Sequence, residues 1–303
     1  MGAHSLTIVS VIDGKAGQDS GRLSERIPPQ MYFVGSAIFH SLGPSLAVLL
    51  FPTVGVLGVA WLRIAGAVAV LAAITRPWSL WALVDIRERR LIVSLGAALA
   101  IMNSSFYLAL ARLPVSLVVA TEFVGSMALA LYGLRTKRNL AALALTMTGV
   151  LLLLNLQWKS DFIGLVWAVL NALCFVLYVV MGHRIANSGP AAGIKRLSLA
   201  MAFAFVFVFP IGVAQAAHAF SHPILIFAGL GVGVSSSVIP YVCDQLAMAR
   251  LTRATFAVML ALLPACATVF GAIVLKQVPS ARDLVGIVMV VGGVAIHQSP
   301  GRI

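Results

Sequence analysis

Ala109-Leu110-Ala111-Arg112-Leu113 recurs as Ala247-Met248-Ala249-Arg250-Leu251, 138 residues further along the chain. At the same offset Gly133 meets Gly271 and Arg138 meets Lys276. Each pentad closes one long apolar run, and the next run begins almost at once, so it reads as a tight turn between two helices. One copy joins the third and fourth runs, the other the eighth and ninth. Five helices per repeat is an odd number, so the second copy must enter a membrane upside down. Inverted repeats place a site near the midplane between the halves and permit alternating exposure by rocking.

The surrounding composition makes these runs membrane spans. Of 303 residues, 61% are hydrophobic and only 10% charged, against about 25% charged in soluble domains. Runs approaching the roughly 20 apolar residues that cross a hydrocarbon core recur from about 29 to about 297. Spans are expected at 30–51, 54–75, 91–111, 114–134, 139–156, 162–184, 195–217, 223–248, 254–275 and 282–298. The fold expected is an all-α integral membrane protein, ten transmembrane helices as two inverted five-helix repeats over 29–157 and 158–298. Phe51-Pro52, Arg76-Pro77, Leu113-Pro114 and His222-Pro223 mark breaks, because proline lacks an N–H and disfavours helix in the residue before it. Pro44, Pro240 and Pro264 fall inside spans instead. Each frees a carbonyl that protein or a wet cavity must satisfy.

The net charge of +12 is not gathered around stacking aromatics, so nucleic acid is not an expected partner. It reports orientation. Lys15, Arg22, Arg26, Arg76, Arg87, Arg89, Arg90, Arg135, Lys137, Arg138, Arg184, Lys195, Arg196, Arg250, Arg253 and Arg302 fall on one side of the ten spans. Only Arg112, Lys159, Lys276 and Arg282 fall on the other. By the positive-inside rule both termini are cytoplasmic. Residues 1–28 are polar, without the basic-to-apolar-to-small pattern of a signal peptide, and are expected to form a flexible cytoplasmic tail. Residues 299–303 form a second, short one. Cys174, Cys243 and Cys266 lie within apolar runs and read as small hydrophobes.

Ser45-Leu46-Ala47, Leu50-Phe51-Pro52, Gly58-Val59, Leu62-Arg63, Met102-Asn103, Phe106-Tyr107, Glu122-Phe123, Gly189-Pro190, Pro240-Tyr241 and Ala249-Arg250-Leu251 stand in a specific order and spacing. In that order the chain resembles the EamA branch of the drug/metabolite transporter superfamily, and within it the RhtA-type threonine/homoserine exporters of bacterial inner membranes. The resemblance implies two five-helix inverted repeats and a small-molecule substrate. Leu263-Pro264 stands where Glu-Pro is expected, Lys276-Gln277 where Gly-Glu is, Val48 where a lysine is, and Gly125-Ser126 where Gly-Pro is. Substrate identity does not carry over across those changes.

An ionisable side chain at mid-bilayer costs about 2.5–3.5 kcal/mol on insertion scales and so marks a candidate site. Arg63 and Glu122 lie eight or nine residues into spans two and four, at similar depth. One reading has them border a central cavity, Arg63 for a substrate carboxylate and Glu122 for its ammonium or a coupling proton. The other makes them a buried structural ion pair. Asp244 matches an acidic position of the resembled family, but near a helix end it also reads as reaching water or pairing with Arg250. Asn103 and Tyr107, one turn apart, share a face, as do Tyr241 and Gln245, and the 138-residue offset makes Tyr241 the counterpart of Asn103. His40, Asn171 and Tyr178 are further candidates. Gly229-x-x-x-Gly233 reads as a helix-packing signal. His218 and His222 have a metal-like spacing but no acidic neighbour, so no metal is expected.

Neither a Walker loop, an H-E-x-x-H nor a G-x-S-x-G elbow is present. The expectation is therefore a secondary transporter of the bacterial inner membrane, with lipid around it, no cofactor and the proton gradient as its natural coupling. It exports a small polar metabolite, an amino acid first. Another cargo (drug, nucleobase or lipid-linked sugar) is the alternative within transport. A non-transporting membrane subunit or a membrane-embedded enzyme is the alternative outside it. Oligomeric state is left open.

Overall fold

The computed structural model describes residues 27–133, 136–153, 161–276 and 278–297, with backbone alone for 127–133 and 275. Residues 1–26 of the expected tail, the repeat boundary at 157–158 and the tail 299–303 lie outside the described residues. Among the described residues every regular element is helical. Seven helices among the described residues are long and apolar enough to cross a membrane: Pro29–Val48, Val56–Thr75, Ile86–Leu110, Phe162–Ala186, Pro190–Ser221, Pro223–Met248 and Arg253–Val274. Three further apolar helices, Val115–Gly133, Lys137–Leu153 and Ala281–Ile296, stand where spans four, five and ten are expected. The last two, of 17 and 16 residues, fall short of the roughly 20 residues of a full crossing.

Local chemistry explains the starts and breaks. Asp85, Asp161, Thr252 and Ser280 each cap a helix by accepting backbone N–H groups, Ser280 and Asp283 forming a reciprocal capping box. Pro223 opens its helix, where a missing N–H costs nothing. The span expected unbroken at 254–275 stops at Met259 and resumes at Leu262. Pro264 has no N–H for the Leu260 carbonyl, which instead takes the Leu263 N–H at 3.0 Å in a tighter turn. Upstream of Pro240 the response is the opposite. Residues Val234–Val238 widen into a π-helical turn between Pro223–Gly233 and Ile239–Met248.

Val56–Thr75 packs along Pro190–Ala216, and Lys137–Leu153 along Ala281–Ile296. Ile86–Leu110 packs on Phe162–Ala186 as Ile239–Met248 packs on Pro29–Val48. Val115–Gly133 packs on Phe162–Ala186 as Leu262–Leu275 packs on Pro29–Val48. Exchanging each helix for the one 138 residues away returns the same set of pairings. The two pentads also share a backbone conformation. Ala111, Arg112 and Leu113 donate to Tyr107, Ala109 and Ala109 at 3.0, 3.0 and 2.8 Å. Ala249, Arg250 and Leu251 donate to Gln245, Ala247 and Ala247 at the same 3.0, 3.0 and 2.8 Å.

The Gly229 and Gly233 pair does serve packing. A Cβ on Gly233 would lie 2.6 Å from the Arg63 carbonyl oxygen, and one on Gly229 2.8 Å from Leu62 Cβ. The wide helix turn is thereby pressed against the segment that carries Arg63. Outward, Ile74, Phe162, Ile224, Phe227 and Val288 are largely exposed, while Arg63, Glu122 and Asp244 are each 2–3% exposed. Charge inside and hydrocarbon outside is the pattern of a membrane protein.

Candidate functional site

His40, Arg63, Met102, Asn103, Phe106, Glu122, Asn171 and Tyr241 line one small central cavity of about 10 Å³. Of the residues singled out in the sequence, His40, Arg63, Asn103, Glu122 and Tyr241 converge here, joined by Asn171. Six helices contribute, four from before the chain midpoint and two from after it. Asn103 Nδ2 and Tyr241 Oη, equivalent under the 138-residue offset, touch at 3.4 Å. The space holds about one water molecule.

Arg63 and Glu122 face this cavity without pairing. Among the described residues the ion pairs are Arg112–Asp161 and Arg196–Glu88. Arg63 donates instead from Nε to Ser237 Oγ at 2.8 Å and from Nη2 to the Ser236 carbonyl at 2.7 Å. Its guanidinium carbon sits 5.4 Å from the ring centre of Tyr107 and 5.9 Å from that of Phe106, within cation–π range. Glu122 accepts through Oε1 from Asn171 Nδ2 at 2.7 Å. Its second oxygen Oε2, with Asn103 Oδ1 and Asn171 Oδ1, is buried without a hydrogen-bond partner. A guanidinium and a carboxyl group are each held by neutral groups around one space, with acceptors to spare.

Below this level the same helices build a second layer. Ser36, four residues before His40, donates to Asp244 Oδ1 at 2.5 Å. Tyr178, seven residues after Asn171, donates to Asp244 Oδ2 at 2.8 Å. Asp244, three residues after Tyr241, therefore neither reaches water nor takes Arg250 as its partner, contrary to the simpler of its two readings. Arg250 donates to the Ile27 carbonyl at 2.7 Å. The Tyr178 and Tyr241 rings, 5.3 Å apart, link the layers. A third layer closes the end of the bundle where Pro29 and Met248 lie. Phe33 and His183 meet the Phe256 ring edge-on at 5.0 and 5.3 Å.

Tyr107 lies beside the cavity, under Arg63. Gln245 does not reach it: its Nε2 faces Met248 Sδ at 3.8 Å, and Gly182 and Gly193 pack against its amide. Ser236, Ser237 and Ser36 escaped the sequence reading. The signal for the first two was a run of three serines, 235–237, ending three residues before Pro240.

The carboxy-terminal half, residues 162–297, matches the model of the EamA-like transporter family. The threonine/homoserine exporter RhtA of Escherichia coli K12 is 34% identical over 240 residues, 78% of this chain and 79% of that one. The chain belongs to the EamA-like transporter family. RhtA of Salmonella typhimurium SL1344 is 32% identical over the same shares. A protein of known crystal structure superposes with a TM-score of 0.59, over 88% of this chain and 96% of its own, at 17% identity. That likeness concerns the fold alone. This EamA-like protein is thus a multi-pass membrane transporter and not an enzyme.

Proposed function

We propose that this chain exports a small zwitterionic metabolite, an amino acid of the threonine or homoserine kind, by alternating access. One observation carries the reading: Arg63 and Glu122 face one buried cavity while each is held by other partners. A zwitterion supplies the two charges this cavity lacks. Its carboxylate meets the guanidinium, which has N–H groups beyond the two given to Ser236 and Ser237. Its ammonium offers three donors to Glu122 Oε2, Asn103 Oδ1 and Asn171 Oδ1. Threonine and homoserine, for which the RhtA relatives are named, belong to the same chemical class.

A space of about 10 Å³ admits no amino acid, so the conformation described is closed and the halves must part to load it. The exchange-invariant helix pairings and the matching pentads support ten spans in two inverted repeats, 29–157 and 158–298. The distribution of Lys and Arg supports cytoplasmic termini in a bacterial inner membrane. The proton gradient drives the export.

Counterflow tests this reading. Purified protein in liposomes preloaded with threonine takes up labelled threonine well above protein-free vesicles. Uptake no greater than in those vesicles, for threonine and homoserine alike, ends the amino-acid reading and leaves another cargo of the family.

A further inference from the structure

The buried Asp244 carboxylate has two hydroxyl partners, Ser36 and Tyr178, and among the described residues no cation lies within ion-pair distance. It stands between the cavity and the aromatic layer of Phe33, Phe256 and His183. We propose that Asp244 is the proton-carrying group of this transporter, and that its anion pins shut the end of the bundle where Pro29 and Met248 lie. The assignment rests on the export reading above. It separates the proton site from the cargo site at Arg63 and Glu122.

The geometry gives the mechanism. As an anion Asp244 accepts from both hydroxyls, one on Pro29–Val48 and one on Phe162–Ala186, and so ties those helices to Ile239–Met248. When one proton adds to one carboxylate oxygen, that oxygen becomes an O–H donor and can no longer accept in the same way. One hydroxyl loses its acceptor, the tie weakens, and the pinned end opens. Loss of the proton to the cytoplasmic side restores the anion and closes that end over a loaded cargo. One proton moves inward as one zwitterion moves outward.

The titratable groups around Asp244 are few. Tyr178 and His183 come from Phe162–Ala186, His40 from Pro29–Val48, and Tyr241 and Cys243 from its own helix. His183 Nδ1 lies 2.9 Å from the Val179 carbonyl, and His40 lies against the rings of Phe175 and Tyr241. Lys195, Arg196 and Arg253, on other helices packed against this one, make no ion pair with it; Arg196 pairs with Glu88. A buried carboxylate without a cation is the arrangement that favours taking up a proton.

The test needs no cargo in its first arm. Spin labels at Gln30 and Ser188, both exposed near the ends of the tied helices, go on a chain whose three cysteines are replaced by alanine. In lipid nanodiscs the label distance lengthens as pH falls from 8 to 5. Asp244→Asn, which cannot become an anion, gives the long distance at every pH. Tyr178→Phe keeps the acid but removes one donor to the anion, so its opening midpoint moves to higher pH. A pH response unchanged in Asp244→Asn, or a midpoint unmoved in Tyr178→Phe, overturns the proposal.

In the second arm, Asp244→Asn in liposomes loses at least tenfold of the transport driven by a pH gradient, and threonine counterflow falls with it because the pinned end no longer closes over the cargo. Gradient-driven transport at the wild-type level overturns it too. Absence of counterflow in the wild-type chain refutes the amino-acid cargo alone, and the label distances still decide the proton site.

Discussion

Arg63 Nη2 donates to the main-chain oxygen of Ser236 at 2.7 Å, joining residues 173 apart in sequence. In an unbroken α-helix that oxygen would accept from residue 240, which is proline and has no N–H. The guanidinium thus fills a vacancy that Pro240 creates, and the widened turn is held by a residue that lines the central cavity. Arg63→Lys keeps the charge but loses the fork that reaches Ser237 and Ser236 together. Counterflow is expected to fall at least tenfold in a chain that inserts normally. Retention of more than half the wild-type rate would show that the fork is dispensable.

Glu122 presents Oε2 to the cavity with no protein donor upon it. Glu122→Gln preserves shape and the contact with Asn171 while removing the charge proposed to attract an ammonium. Export from an overproducing strain should drop tenfold or more at unchanged membrane abundance. Full export in a normally expressed variant would return Glu122 to a purely structural role.

Gly43 lies where Pro29–Val48 meets the widened turn. A Cβ there would stand 2.7 Å from the Ser236 backbone nitrogen and 2.8 Å from its Cα. Neither atom can swing away as a side-chain end would. Gly43→Ala should destabilise the detergent-solubilised protein by about 1–3 kcal/mol through overpacking. Gly231→Ala is the control, since nothing lies within 4 Å of its added carbon. A thermal-shift measurement compares the two, and equal melting temperatures would contradict the close approach.

Asp161 lies outside the spans and accepts from Arg112 Nη1 at 2.5 Å and from the N–H groups of Ile163 and Gly164 at 2.9 and 3.2 Å. The hydrogen bond from Arg112, then that from Gly164, holds its carboxyl below the usual carboxylate range. A lowered folded-state value stabilises the fold above the unfolded value and stops doing so as pH falls through the folded one. Asp161→Ala should therefore melt lower than wild type at pH 7, with the gap closing below about pH 4. Counterflow at pH 7 stays within twofold. A gap that persists in acid would assign the loss to something other than charge.

Much of the architecture was legible because a bilayer leaves little choice. Every helix begins or ends within a few residues of an apolar run or a proline, and Arg63 and Glu122, placed at similar depth by the sequence, line one cavity with His40, Asn103 and Tyr241. Depth, however, carries no information about rotation. Arg63 and Glu122 read equally well as an ion pair, and only the neighbouring serines and Asn171 hold them apart. Gln245 shares a helical face with Tyr241 in the sequence, yet with Gly182 and Gly193 it forms a separate contact. The response to a proline was also illegible. Pro264 sits at a break with a tightened turn, and Pro240 follows a widened one, because Arg63 waits opposite only the second.

The contact between Asn103 and Tyr241 has a mechanical meaning. Two positions that exchange under the repeat and also touch must straddle the axis relating the halves. Points on an axis travel least when bodies turn about it, whereas the ends of 25-residue helices such as Ile86–Leu110 and Phe162–Ala186 swing on long lever arms. Under the proposed alternating access, a rocking of a few degrees therefore opens either mouth while leaving the Asn103–Tyr241 contact almost stationary. The fulcrum and the binding site proposed for this transporter are one place.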